Sequence, residues 1–168
     1  HNDVPFFAFI HAFDPHSPFE PYAPYDALWG TPEGVAEFER ANELWRGRID
    51  DLPTQAQMDS TDVDQELYVQ HERDWYDGSI RAADVEVARL LEGFEQLGIA
   101  DETLFVLISD HGEEFLEHGH HFHGNNAYGE MMNVPLIMHW PGVLPAGTVV
   151  EQTTESVDMM PTVLELAG

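Results

Sequence analysis

The sequence predicts an α/β fold with a mainly parallel sheet and flanking helices, and three observations carry that expectation. Short continuous apolar runs at 4–12, 104–108 and 134–138 have the composition of strands buried on both faces. Between the first two runs, Tyr76, Ile80, Ala83, Val87, Leu90, Leu91, Phe94 and Leu97 recur at steps of three and four, the stripe of an amphipathic helix. The resulting order of strand, helix, strand, loop, strand and helix is that of a layered α/β domain.

The elements follow in order. Val4 to Ala12 reads as a buried parallel strand. Phe13 to Pro32 holds Pro15, Pro18, Pro21, Pro24 and Pro32, which excludes helix and central strand and predicts an ordered loop at that strand's carboxyl end. Glu33 to Arg46 is expected to be a short helix, and Gly47 to Thr61 a polar excursion. The long helix runs from Asp62 to Gly98, with Gly98 as the residue that ends it. Leu104 to Ile108 and Val134 to His139 are the next strands. Pro141-Gly142 and Pro145-Ala146-Gly147 mark turns. Thr148 to Glu151 is expected as a short edge strand, and Asp158 as the cap of a last helix through Ala167.

With 168 residues and 43% hydrophobic content, the chain is expected to be a single domain, or part of one, with a real core. No run approaches the ~20 apolar residues of a membrane span. The sequence opens at His1-Asn2-Asp3 without Met, directly before a strand, and reads as a fragment whose start lies upstream. The net charge of -26 comes from 32 acidic residues against six Arg and no Lys. Such a surface repels nucleic acid and anionic lipid. It also resembles the proteome of a prokaryotic halophile, where salt screens self-repulsion, the alternative being a merely acidic protein. That composition suits a salt-rich cytoplasm as well as a periplasmic or extracellular place. The lack of Cys excludes disulfides, thiolate metal sites and a Cys nucleophile within these residues.

Chemistry concentrates between Thr103 and Gly142. The run ending at Ile108 opens into Ser109-Asp110-His111-Gly112, so a carboxylate and an imidazole sit side by side at the end of a strand. Ligands bind at the carboxyl ends of strands in open α/β sheets. Asp110 and His111 are therefore candidate ligands of a divalent cation. The plainer alternative is an Asp accepting loop amides beside a surface His. His16, in Phe13-Asp14-Pro15-His16-Ser17-Pro18, also follows an apolar run. It is a candidate to hydrogen-bond an oxyanion or protonate a leaving group, against a packing role. His118, His120, His121 and His123 form a tract of the sort that binds metal loosely or is solvated. One of them, His123, is expected to be functional, as a cation facing an anionic substrate. Glu113, Glu114 and Glu117 are expected to support the site from behind or to face solvent.

These residues resemble the sulfatases of the alkaline phosphatase superfamily, in order and over about three quarters of the chain. Pro5-Phe6-Phe7 through Asp14-Pro15-His16 is similar to the family's strand and "PH" segment. Tyr76-Asp77 through Asp84 and on to Gly98 is similar to its long helix. Thr103 to Glu113 resembles "TL...SDHGE". Glu117-His118-Gly119, His123-Gly124, Tyr128, Glu130 and Val134 to Ile137 resemble "EHG...(K/H)G...YEE..RVPLI", and Val157 to Gly168 resembles "VDIMPTLLELAG". The resemblance implies an alkaline phosphatase-like fold, of which residues 1–168 would be the C-terminal portion of a catalytic domain. It implies hydrolysis of a sulfate ester, on a small molecule or a glycan. It implies Asp110 and His111 as ligands of a divalent cation, most often Ca²⁺ with Mn²⁺ or Mg²⁺ as alternatives. It implies His16 and His123 as the groups that bind the sulfuryl region and assist the leaving oxygen.

The departures are specific. The family's first half carries an Asp-Asp metal pair and a Cys or Ser that matures to formylglycine, and neither is present in these residues. Asn133 stands where Arg usually precedes Val-Pro. The fragment alone is therefore expected to be inactive, and to self-associate through sheet edges and apolar patches. Phosphodiesterases, phosphonate monoester hydrolases and phosphoglycerol transferases of the same superfamily are the nearest alternative. A noncatalytic binding or structural domain on the same scaffold is the more distant one.

Overall fold

The computed structural model describes residues 4–45, 55–124 and 126–168. The chain forms two compact units. One holds the described residues up to Leu90 together with Phe115–Phe122, and the other holds Leu91–Glu114 and His123–Gly168.

The first unit is helical. Helix α1 (Pro32–Trp45) starts where the sequence provides a cap. The Thr31 hydroxyl accepts the Gly34 amide at 3.1 Å, and Pro32, which has no amide to satisfy, takes the first helical position. Helix α2 (Gln55–Asp59) follows. Residues 47–54 of the expected 47–61 excursion, and Arg46, lie outside the described residues, and Ser60 and Thr61 follow α2 as a turn. Helix α3 (Gln65–Leu97) begins later than Asp62, because Asp64 is its cap and accepts the Leu67 amide at 3.2 Å. Tyr68, Ala41, Trp45, Met58 and Val63 form one buried cluster. Phe19, Phe115 and Phe122 form a second, with Trp75 and Tyr76 against it. Phe122 adopts a φ of 66°, a rare conformation for an aromatic residue, while its ring is buried 5.6 Å from that of Phe19. Strands β2 (Glu114–Phe115) and β3 (His121–Phe122) pair as a short hairpin.

The buried face of α3 in this unit is not the expected apolar stripe. Tyr68, His71, Glu72, Asp74, Gly78, Ser79 and Ala82 are inside, while Ile80 is exposed. His71 is 1% exposed, and its ring lies 4.5 Å from those of Phe38 and Trp75. Neither ring nitrogen has a hydrogen-bond partner among the described residues. Burial holds this imidazole below its ordinary value, opposed by Asp74. Above the unfolded value of about 6.5, both states are neutral and the group contributes nothing. As the pH falls through that value, the unfolded chain takes a proton that the folded chain refuses, so stability drops by at most about 1.4 kcal/mol per pH unit. His71→Leu should match or exceed the parent at neutral pH and should lose this component of acid sensitivity. Urea midpoints of both proteins between pH 7 and 5 check it, and parallel profiles would reject it.

In the second unit, α3 ends as its sequence demands. Gly98 takes a φ of 70° and donates to the Glu95 carbonyl at 3.0 Å, while Ile99 donates to that of Phe94 at 3.1 Å. These are the paired bonds of a Schellman motif. Strands β1 (Phe105–Ile108) and β4 (Leu136–His139) pair antiparallel, with Phe105 opposite His139 and Ile108 opposite Leu136. The α/β class stands, but this pairing differs from the parallel one expected for these runs. A parallel neighbour needs a crossover that returns the chain to the same end of the sheet. Here the connection carries the β2–β3 hairpin and the single-turn helix α4 (Gly129–Met132) in place of a crossover helix, and the chain comes back the other way. Helix α5 (Met159–Ala167) closes the chain. Asp158 is not its side-chain cap. It belongs to a capping box one turn earlier, where its carboxylate accepts the Glu155 amide at 3.1 Å.

Two expected strands are absent. Thr148 to Glu151 has no ladder among the described residues. Val4 to Ala12 forms no strand among the described residues, with Phe7 79% and Phe9 81% exposed. A strand exists only through hydrogen bonds to neighbours, and no described residue supplies them to this run. Among the described residues, no helix is long and apolar enough to cross a membrane.

Candidate functional site

The loop after β1 is held by its own backbone before any side chain is considered. The Ser109 amide bonds the Pro135 carbonyl at 3.4 Å, continuing the line of β1 beside β4. The Ser109 hydroxyl donates to the His111 carbonyl at 2.7 Å. The Gly112 and Glu113 amides donate to the carbonyls of Met131 and Glu130, at 2.8 and 3.1 Å. The chain therefore turns at Asp110-His111 and then lies flat against α4. Only Gly fits at 112, because an added Cβ would stand 1.9 Å from the Glu130 carbonyl oxygen.

Asp110 and His111 project from this turn. The Asp110 carboxylate is 82% exposed and accepts the His111 amide through Oδ1 at 3.1 Å. His111 Nδ1 lies 2.8 Å from the Gly112 carbonyl. A carbonyl only accepts, so Nδ1 carries a proton, and in the neutral ring Nε2 is the atom with the lone pair. That Nε2 faces Asp110 Oδ1 at 3.8 Å. A carboxylate oxygen and a basic imidazole nitrogen thus converge, with the imidazole tautomer fixed from behind as metal-ligating histidines usually are. The donor chemistry fits a divalent cation. Two ligands are a partial set, since hard cations take six or more donors.

His123 stacks on His111, with ring centroids 4.0 Å apart and planes 29° from parallel. Its Nδ1 lies 3.0 Å from Glu113 Oε1, on a carboxylate that is 2% exposed. Glu114 is fully buried and accepts from the Asn126 side-chain amide, while Asn126 Oδ1 accepts the Tyr128 amide at 3.1 Å. Asn125 lies outside the described residues.

The second unit thus brings three of the expected site residues together: Asp110, His111 and His123. His16 belongs to the first unit, where its Nδ1 lies 2.6 Å from the Ser17 carbonyl and its ring 4.6 Å from that of Phe13. The histidine tract separates by environment. His118 and His120 are exposed, His121 is buried near Phe115, and His123 is half-buried on Glu113. Glu117 pairs with Arg73 at 2.5 Å. The contact between Glu113 and His123 was not legible in the sequence. Both residue types were visible, but ten positions separate them and only the folded loop closes that gap.

The chain as a whole has relatives among known proteins. A profile of the sulfatase family matches residues 1–168. The chain is similar to the multifunctional alkaline phosphatase superfamily protein PehA of Trinickia caryophylli, 30% identical over 98% of this chain and 34% of that protein. It is similar to the endo-4-O-sulfatase of Bacteroides thetaiotaomicron, 27% identical over 98% of this chain and 29% of that one. Its structure is similar to the phosphonate monoester hydrolase SpPMH from Silicibacter pomeroyi. The TM-score is 0.64 at 28% identity, covering 90% of this chain and 31% of that one. The chain spans about a third of the length of these relatives.

Proposed function

Because this chain belongs to the sulfatase family, we propose that it is the C-terminal portion of the catalytic domain of a sulfuric ester hydrolase. The observation that carries the reading is the convergence of Asp110, His111 and His123 on one turn after β1. Asp110 Oδ and His111 Nε2 would hold a divalent cation, Ca²⁺ by the sulfatase resemblance, together with donors from outside these residues. When bound, the cation supplies positive charge that polarises the ester and offsets charge developing on it. A hydrated formylglycine, carried by the part of the enzyme outside these residues, would attack sulfur as the S–O bond to the alcohol breaks. His123 or His16 would deliver the proton that the departing alcohol needs.

A second reading has its own support. The phosphonate monoester hydrolase shares the fold over most of this chain, and an imidazole ligand suits Mn²⁺ better than Ca²⁺. The same turn would then serve a phosphonate monoester.

The test is turnover by the complete gene product of an aryl sulfate and an aryl phosphonate monoester, side by side, at low and at molar salt. Faster sulfate hydrolysis, highest in salt as the acidic surface implies, is the expected result, and a reversed preference would move the assignment to phosphonates. The 168-residue chain alone should turn over neither above a buffer control, and turnover by it would defeat the proposal that the nucleophile lies elsewhere.

A further inference from the structure

We infer that Glu113 is a positioning residue that sets the tautomer and ring plane of His123. The inference rests on the proposed function for its catalytic meaning, but its structural content stands on the geometry. The Glu113 carboxylate is 2% exposed, and Oε1 lies 3.0 Å from His123 Nδ1. Its backbone is fixed independently, because the Glu113 amide donates to the Glu130 carbonyl at 3.1 Å and the neighbouring Gly112 amide to that of Met131 at 2.8 Å. The carboxylate therefore springs from a rigid base.

An ionised carboxylate only accepts hydrogen bonds. Paired with it, His123 must carry its proton on Nδ1, so Nε2 is the atom turned to whatever the ring meets. The ring plane is set from two sides. Glu113 holds one edge in line with the hydrogen bond, and the His111 ring covers one face at 4.0 Å. His111 has its own tautomer fixed by the Gly112 carbonyl at 2.8 Å. The two imidazoles thus present their Nε2 atoms from one short segment, each oriented by an acceptor behind it. The next residue, Glu114, anchors the far end of the same loop through the Asn126 amide. Consecutive glutamates thus hold the His123 ring and the backbone that follows it.

Gln at 113 keeps the size of Glu but can donate as well as accept, so it permits the wrong His123 tautomer. In the complete enzyme, Glu113→Gln should lower kcat/KM about 10- to 100-fold, the usual cost of losing an orienting partner. Most of the loss should fall on kcat. The discriminating readout is the background: in His123→Ala enzyme, Glu113→Gln should cost nothing further, because Glu113 acts through that ring. A cost equal in both backgrounds would make Glu113 a merely structural residue and overturn the inference. Nitrogen NMR of histidine-labelled complete protein reads the tautomer without any activity. A protonated Nδ1 in the parent, mixed in Glu113→Gln, is expected, and an Nδ1 without a proton in the parent would overturn the inference. If no ester is turned over but that tautomer is found, the functional reading fails and the positioning stands.

Discussion

Gly112→Ala should cost about 3 kcal/mol of folding stability and scatter the residues of the turn. The added Cβ would meet the Glu130 oxygen at 1.9 Å, its carbon at 2.9 Å and the Met131 Cα at 3.2 Å. All three are backbone atoms, so no side chain can rotate away. Relief requires pulling the loop off α4, which breaks the amide bonds of Gly112 and Glu113 to that turn. Each such bond is worth roughly 1 kcal/mol net, and overpacking adds about 1–3 kcal/mol. Gly93→Ala is the control. It lies in the interior of α3, where a Cβ meets nothing within 4 Å, and helix propensity makes it stabilising by up to about 1 kcal/mol. Urea unfolding of the two variants should therefore move in opposite directions. Equal midpoints for Gly112→Ala and the parent would mean that the loop does not lie against α4.

The same close approach explains what the sequence could and could not convey. Apolar composition located β1 and β4 to within a residue or two, because those runs do pair. It gave the same signal for Val4 to Ala12, where no described strand pairs. Hydrophobicity reports what a segment would bury, not whether a neighbour exists. In α3 the failure is different. The first half of the helix buries His71, Glu72, Asp74 and Ser79, which a search for apolar stripes must skip, while Gly98 at its end was unambiguous. In the site, Asp110-His111 was legible because adjacency in sequence guarantees adjacency in space. The link from Glu113 to His123 was not, since it depends on a loop returning across ten positions. Gly112 was visible as the end of Ser109-Asp110-His111-Gly112, but the reason for a glycine there, a backbone contact with residue 130, was not.

Asp110→Asn should separate chemistry from folding. Asn keeps the shape of the side chain, and its Oδ1 can still accept the His111 amide that Asp110 Oδ1 accepts at 3.1 Å. With the parent side chain 82% exposed, removing its charge leaves no buried group unpaired, so the thermal midpoint of the cation-free protein should stay where it is. What is lost is the negative charge that faces His111 Nε2 at 3.8 Å. If that pair holds a divalent cation, the complete enzyme should lose cation content on dialysis and about 10³-fold in kcat/KM, on the order of the several kcal/mol that a metal ion contributes to a charged transition state. Excess Ca²⁺ or Mn²⁺ should restore part of the loss, because affinity rather than architecture has been damaged. Gly112→Ala should not be rescued by cation in this way, since there the turn itself is displaced. Full cation content and unimpaired turnover in Asp110→Asn would remove Asp110 from the ligand set. His111 would then be left without the carboxylate partner that the proposed cation site requires.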